Sequence, residues 1–119
     1  MSGRIEDCIR AFRSAAIKKG DGLGGRRDWR LYDQLVEAYN SLMDLGAEGR
    51  QAFRELLNDD SEHVRGWVAA ALLYEGDLEA RAVLEAISEM GGMTGFEAEV
   101  TLEEYDAGRL GQPLCRRGA

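Results

Sequence analysis

The chain of 119 residues carries 22 Asp/Glu against 15 Lys/Arg, a net charge of −7, with 45% hydrophobic and 31% charged residues. This balance fits one soluble globular domain and excludes a disordered chain, and no apolar run approaches the about 18 residues a membrane span needs. The two cysteines, Cys8 and Cys115, form no Cys-x-x-Cys, and the start MSGRIEDCIR has acids where a secretory signal needs an apolar stretch. A disulfide scaffold and a zinc ribbon are thereby excluded, and a cytoplasmic protein with reduced thiols is expected.

Pro113 is the only proline, so nothing before it breaks a helix, and no stretch alternates apolar and polar residues as a strand would. Helical spacing recurs instead. A first helix is expected from Gly3 to Lys19, with Ile5, Cys8, Ile9, Phe12 and Ala16 on one stripe and Gly20 as its stop. A second covers Asp28 to Leu45, with Leu31 or Tyr32, Leu35, Val36, Tyr39, Leu42 and Met43 inward and Gly46 at its end. A third covers Ala47 to Asn58, with Ala52, Phe53, Leu56 and Leu57 inward.

The fourth starts after Asn58-Asp59-Asp60 with Ser61 as N-cap and turns Val64, Trp67, Val68, Ala71 and Leu72 inward. Gly76 ends it, and Asp77 caps a fifth from Leu78 to Met90, with Ala80, Val83, Leu84 and Ile87 inward. Thr94-Gly95-Phe96-Glu97 has the form of a capping box and is expected to open a sixth helix, with Ala98, Thr101, Leu102 and Tyr105 as its stripe and Gly108 as its stop. The short turns predict three antiparallel helical hairpins over residues 1–110, followed by an irregular tail at 111–119.

Charge is segregated along this plan. Residues 1–54 carry a net of +2, residues 55–108 a net of −12, and residues 109–119 a net of +3. A stretch at −12 repels a phosphate backbone and attracts a basic partner, so no nucleic acid is expected as a ligand.

Several strings that suggest chemistry have plainer roles. Gly20-x-Gly22-x-x-Gly25 satisfies GxGxxG, but a helix precedes it and no βαβ unit surrounds it, so it is expected to be an inter-helix loop rather than a cofactor site. His63 is the only histidine, and its neighbours Asp60 and Ser61 suit capping rather than a catalytic triad. One histidine and two distant cysteines make no metal site of nitrogen and sulfur ligands. Glu99 and Glu103 share a helix face, yet the Glu-x-x-His of a carboxylate-bridged metal centre is missing. Trp29, Trp67 and Tyr105 are expected in core or rim packing. The chain is therefore expected to be no enzyme and to need no cofactor or metal.

The segment from Leu56-Leu57 through Asn58-Asp59-Asp60-Ser61 to Val64-Arg65 and Ala70-Ala71 resembles the core of a HEAT-type repeat. The leucines close one helix on the core, an Asp of the turn accepts N–H groups at the next helix, and small residues let the helices approach. In that repeat the arginine, here Arg65, pairs with an Asp of the turn, here Asp59 or Asp60. Over roughly residues 15–110 the chain also resembles a small bacterial family of uncharacterised HEAT-like single domains. Ala15-Ala16, Gly20-Asp21, Leu31-Tyr32, Gly46, Gly49-Arg50, Ala80, Leu84-Glu85, Ala98, Leu102, Tyr105 and Gly108 carry the rest of that likeness, while the loop from Gly22 to Arg27 is richer in glycine than the family pattern.

The resemblance implies an α-α superhelix of about three hairpins, in which the second helix of each lines the concave side. On that plan Glu62, Arg65, Glu75, Glu99, Glu103 and Asp106 are the expected partner-binding residues. Asp59, Asp60, Ser61, Val64, Trp67, Thr94 and Glu97 are the structural ones. Small HEAT-like acidic proteins are often immunity partners of bacterial toxins or accessory interaction modules. The expectation is thus an interaction protein, monomer or weak dimer alone, that neutralises a basic protein partner. The alternatives are a small-molecule-binding or accessory subunit of an enzyme and a structural module of a larger complex.

Overall fold

A computed structural model of the protein describes residues 2–20 and 28–115. Among these residues there are six α-helices and no strand: α1 (Ser2–Gly20), α2 (Asp28–Asp44), α3 (Ala47–Glu55), α4 (Glu62–Tyr74), α5 (Leu78–Ser88) and α6 (Gly92–Asp106). The all-α class expected from periodicity is what the chain adopts. Helix ends differ by a few residues. The third helix tightens into a 3-10 turn at Leu56–Asn58, and α5 stops at Ser88. The string of glycines at 20–25 and the arginines Arg26 and Arg27 fall mostly on residues 21–27, which lie outside the described residues. The helices gather into two compact units, residues 1–56 with 114–119, and residues 57–113.

In the first unit α1 packs on α2, and both pack on α3. Phe12, Ala15 and Ala16 of α1, Leu35, Val36, Tyr39 and Leu42 of α2, and Phe53 of α3 form the core. Phe53 is the hub. Its ring meets Phe12 edge-on at 5.4 Å and Tyr39 at 5.0 Å. Such pairs contribute about 0.5–1.5 kcal/mol each beyond the area they bury. α3 reaches this position because Gly49 lies against the backbone of α2. A Cβ there would run into the Leu42 carbonyl oxygen and sit 2.8 Å from its carbon.

Residues 111–115 of the tail form no helix or strand, yet they are anchored to the fold. Leu114 is 2% exposed, and the Tyr32 hydroxyl donates to the Cys115 carbonyl at 3.0 Å while accepting its N–H at 3.3 Å. Burial, more than any neighbouring charge, pushes the Tyr32 phenol above its ordinary pKa.

In the second unit α4, α5 and α6 pack on one another. Val64, Val68, Ala69, Ala71 and Leu73 of α4 meet Ala80, Leu84 and Ile87 of α5 and Ala98 of α6 in its core. Leu73, not the expected Leu72, takes the buried place, and Trp67 is half-buried. Ser61 caps α4 as its residue type predicts: its Oγ accepts from the backbone N–H groups of His63 at 3.2 Å and Val64 at 3.4 Å. Asp77 serves two helices at once. Its N–H returns to the Leu72 carbonyl at 3.1 Å to close α4 behind Gly76, which adopts φ +90°. Its carboxylate then accepts from the N–H groups of Glu79 and Ala80 at 2.9 and 3.1 Å to open α5.

The capping box expected at Thr94 and Glu97 does not open α6. The N-cap lies three residues earlier, at Gly91, with no side-chain cap bond, and the first backbone bond runs from Gly95 N–H to the Gly91 carbonyl at 3.2 Å. The reason is conformational: Gly91 and Gly92 take φ of +75° and +69°, so the turn is made before Thr94 is reached and Thr94 and Glu97 lie inside the first turns.

Two glycines give opposite predictions. Gly49→Ala should lower stability by about 1–3 kcal/mol, because the new methyl meets backbone that cannot yield. Gly66, inside α4, has no heavy atom within 4 Å of where its Cβ would sit, so Gly66→Ala should raise stability by about 0.4–1 kcal/mol. Urea unfolding of the two variants, with unchanged m-values, is the check.

Candidate functional site

The acidic character belongs to one structural unit. Residues 57–113 hold 13 Asp/Glu and three Arg, a net of −10, whereas the first unit carries a net of +3. Within the acidic unit the placement of the carboxylates is unusual for helices. None of α4, α5 and α6 has a basic residue in its last turn. Instead Glu75 is the C-cap of α4, Glu89 that of α5, and Glu103, Glu104 and Asp106 fill the end of α6. A helix C-terminus is already the negative end of its dipole, so each such carboxylate costs about 0.3–1 kcal/mol where nothing offsets it.

The side chains expected to face a partner divide into two groups. Arg65 and Asp106 are engaged within the fold. Arg65 Nη1 donates to the backbone carbonyls of Asp59 at 2.7 Å and Asp60 at 3.1 Å. It therefore bonds the turn through backbone carbonyl oxygens, not through the carboxylate of Asp59 or Asp60 as expected. The Asp59 carboxylate itself accepts the Ser61 N–H at 3.0 Å. Asp106 receives both terminal nitrogens of Arg81, at 2.8 and 3.0 Å, and Arg81 also reaches Glu85 at 3.3 Å and lies 5.9 Å from the Tyr105 ring centre.

This fork ties the start of α5 to the end of α6. Gly95, near the start of α6, meets the carbonyls of Ile87 and Ser88 at the end of α5, so the two helices run antiparallel. The Arg81 hydrogen bonds hold the Asp106 carboxyl below the ordinary carboxylate range.

Glu75, Glu99 and Glu103 are exposed. Glu62 is half-buried, with its carboxylate 4.0 Å from Nε2 of His63. Among the described residues, Glu89, Glu97, Glu99 and Glu103 have no ion pair within 4.0 Å. Glu104 pairs with Arg109 at 3.2 Å.

α6 also carries a feature that sequence reasoning passed over. Met93, Phe96 and Val100 are exposed by 72, 59 and 38%, and Met90 in the preceding turn by 55%. They recur at i, i+3 and i+7, on the side opposite Gly95, Ala98 and Leu102. The signal was present in the sequence as a second apolar stripe on one helix. Opening the helix at Thr94 left Met93 outside it and hid the spacing. Trp29, expected in core or rim packing, is 59% exposed and meets the edge of the Tyr32 ring at 6.2 Å.

A shallow cleft of about 530 Å³ lies in the first unit, between Ile5, Ile9, Ala52 and Leu56, with Glu6, Arg10, Arg13 and Glu55 at its rim. Among the described residues no group of three or more His, Cys, Asp or Glu is placed to hold a metal ion, and no helix is long and apolar enough to cross a membrane.

Three side chains test this division. Arg81→Ala should return the Asp106 carboxyl to the ordinary range, followed by its side-chain carbon shift against pH. The stability that this pair contributes is present above the ordinary carboxylate range and is lost as pH falls through the depressed pKa. Arg65→Ala should lower stability by about 1.5–3 kcal/mol, since it removes two charge-assisted hydrogen bonds to the turn, one of them at the part-buried Asp59 carbonyl, while Glu99→Ala should change the unfolding free energy by less than about 0.5 kcal/mol. No family model, curated protein or solved structure matches this chain.

Proposed function

We propose that the protein is a non-catalytic interaction module whose acidic unit captures a basic protein partner, and in its most specific form an immunity protein that neutralises a basic bacterial toxin. The observation that carries this reading is the set of carboxylates at the C-terminal ends of α4, α5 and α6, with no basic residue in the last turn of any of them. Lys or Arg there would complement the helix dipole, whereas these carboxylates oppose it. A cationic partner offsets that repulsion when it binds, and the field of a unit at −10 speeds its arrival. The finer architecture that accompanies the proposal is a HEAT-like superhelix, supported by the Ser61 cap, the buried Val64 and the Arg65 bridge to the turn before α4.

The experiment is a pull-down with the full chain from its host, at about 0.05 M and about 0.5 M salt, followed by kinetics with the partner it retrieves. One stoichiometric basic partner is expected, with an association rate that falls at least about tenfold between the two salts. Glu99→Lys with Glu103→Lys should slow association further, and Asp106 is left alone because Arg81 needs it. An association rate indifferent to both salt and charge reversal would overturn the acidic-surface mechanism.

A further inference from the structure

We propose that the outward face of α6 is a docking strip for a basic amphipathic helix of a partner protein, seated on Met93, Phe96 and Val100. The inference rests on the protein-binding reading above and adds the chemistry of what is bound.

The geometry comes from helical rotation. At about 100° per residue, Met93, Phe96 and Val100 fall within an arc of about 60°, centred opposite Gly95, Ala98 and Leu102. The inner side is spent on packing: Gly95 and Ala98 are buried. The outer side has no such role, yet it displays large apolar side chains, and Met90 extends it into the preceding turn. The strip runs about 10 Å along α6, two turns, which matches the i, i+3 or i+4, i+7 anchors that one helix presents to another. Methionine suits such a strip because its unbranched side chain adapts to the ridges of the incoming helix.

Charge chooses the occupant. Glu97 borders the strip on one side and Glu99 and Glu103 on the other, and all three are exposed without an ion pair among the described residues. A helix with an apolar stripe flanked by Lys or Arg satisfies both features at once. A second copy of this chain would set carboxylate against carboxylate, each from a unit at −10.

The test uses the full chain labelled for amide shifts and a synthetic helical peptide with leucine on one face and lysine on its flanks. A peptide of the same composition in scrambled order, with no apolar face, is the control. Shifts should concentrate in residues 90–104, and Phe96→Ser should weaken binding at least about tenfold, while far-UV circular dichroism and the unfolding midpoint stay near the parent because Phe96 is mostly exposed. Glu97→Gln with Glu103→Gln should weaken binding less and flatten its salt dependence.

Equal affinity for the scrambled peptide, or for the Phe96→Ser variant, would overturn the strip. If the binding that survives Phe96→Ser still falls with salt, the acidic-surface reading stands without the strip; if it does not, both fail. A dimer that forms at about 0.1 mM in sedimentation and is abolished by Phe96→Ser would also overturn the proposal, by assigning the strip to a second copy.

Discussion

Gly95 lets α6 lie against the end of α5, and much of the second unit follows from that close approach. A Cβ at this position would stand 3.1 Å from the Ser88 carbonyl oxygen and 3.2 Å from that of Ile87, tighter than side chains normally tolerate. Ala98, one turn on, is nearly as small and is buried. Helices this close bury backbone and small side chains between them, so around Gly95 and Ala98 the inner side of α6 has no room for a bulky residue. Met93, Phe96 and Val100 are displaced outward, and the inner side is completed by half-buried Leu102 and Tyr105. At the far end the Arg81 fork on Asp106 sets the separation of the same two helices. α6 is therefore held at both ends by short-range contacts while its outer face stays apolar.

The charge pattern is intelligible on the same basis. Surface carboxylates on a helix contribute little to stability wherever they sit, but at a C-terminus their sign is wrong. The second unit accepts this at three helices and offsets part of it where Arg81 reaches Glu85 and Asp106 and where Arg109 reaches Glu104. What remains on α6 is a set of exposed carboxylates, Glu97, Glu99 and Glu103, beside exposed apolar side chains. Apolar area provides most of the free energy of association, and charge provides selectivity and speed. The two are adjacent here.

The sequence made the helices legible because their inward stripes follow a 3.6-residue period, and it made Ser61 and Asp77 legible because a short oxygen-bearing side chain ahead of such a stripe has one main use. Three features escaped it for physical reasons. Thr94-Gly95-Phe96-Glu97 satisfies the capping-box string, but paired glycines at positive φ turn the chain before it, and a string carries no dihedral angles. Leu114 is a single apolar residue after Pro113, so no periodicity marks it as buried. The outward strip on α6 is masked in the sequence because Met93, Phe96 and Val100 interleave with the inward Gly95, Ala98 and Leu102, so the helix has no single apolar face. Of the side chains expected to meet a partner, Glu75, Glu99 and Glu103 are exposed, whereas Arg65 and Asp106 serve the fold. Distinguishing those two groups takes a hydrogen-bond partner, and that is a tertiary fact.

The hydrogen bonds between Tyr32 and Cys115 have a consequence for the order in which the chain folds. The other side-chain contacts described join residues close in sequence or helices adjacent along the chain, apart from α1 on α3 and α4 on α6, so the helical hairpins can assemble through local encounters on the fast side of two-state kinetics. Tyr32 and Cys115 stand 83 residues apart. Closing a loop of that length costs chain entropy that two hydrogen bonds and one buried leucine repay only when the residues between are already compact. The tail contact is thus a late event in folding. The Tyr32 hydroxyl and the Cys115 amide are therefore the groups expected to report on that last closure.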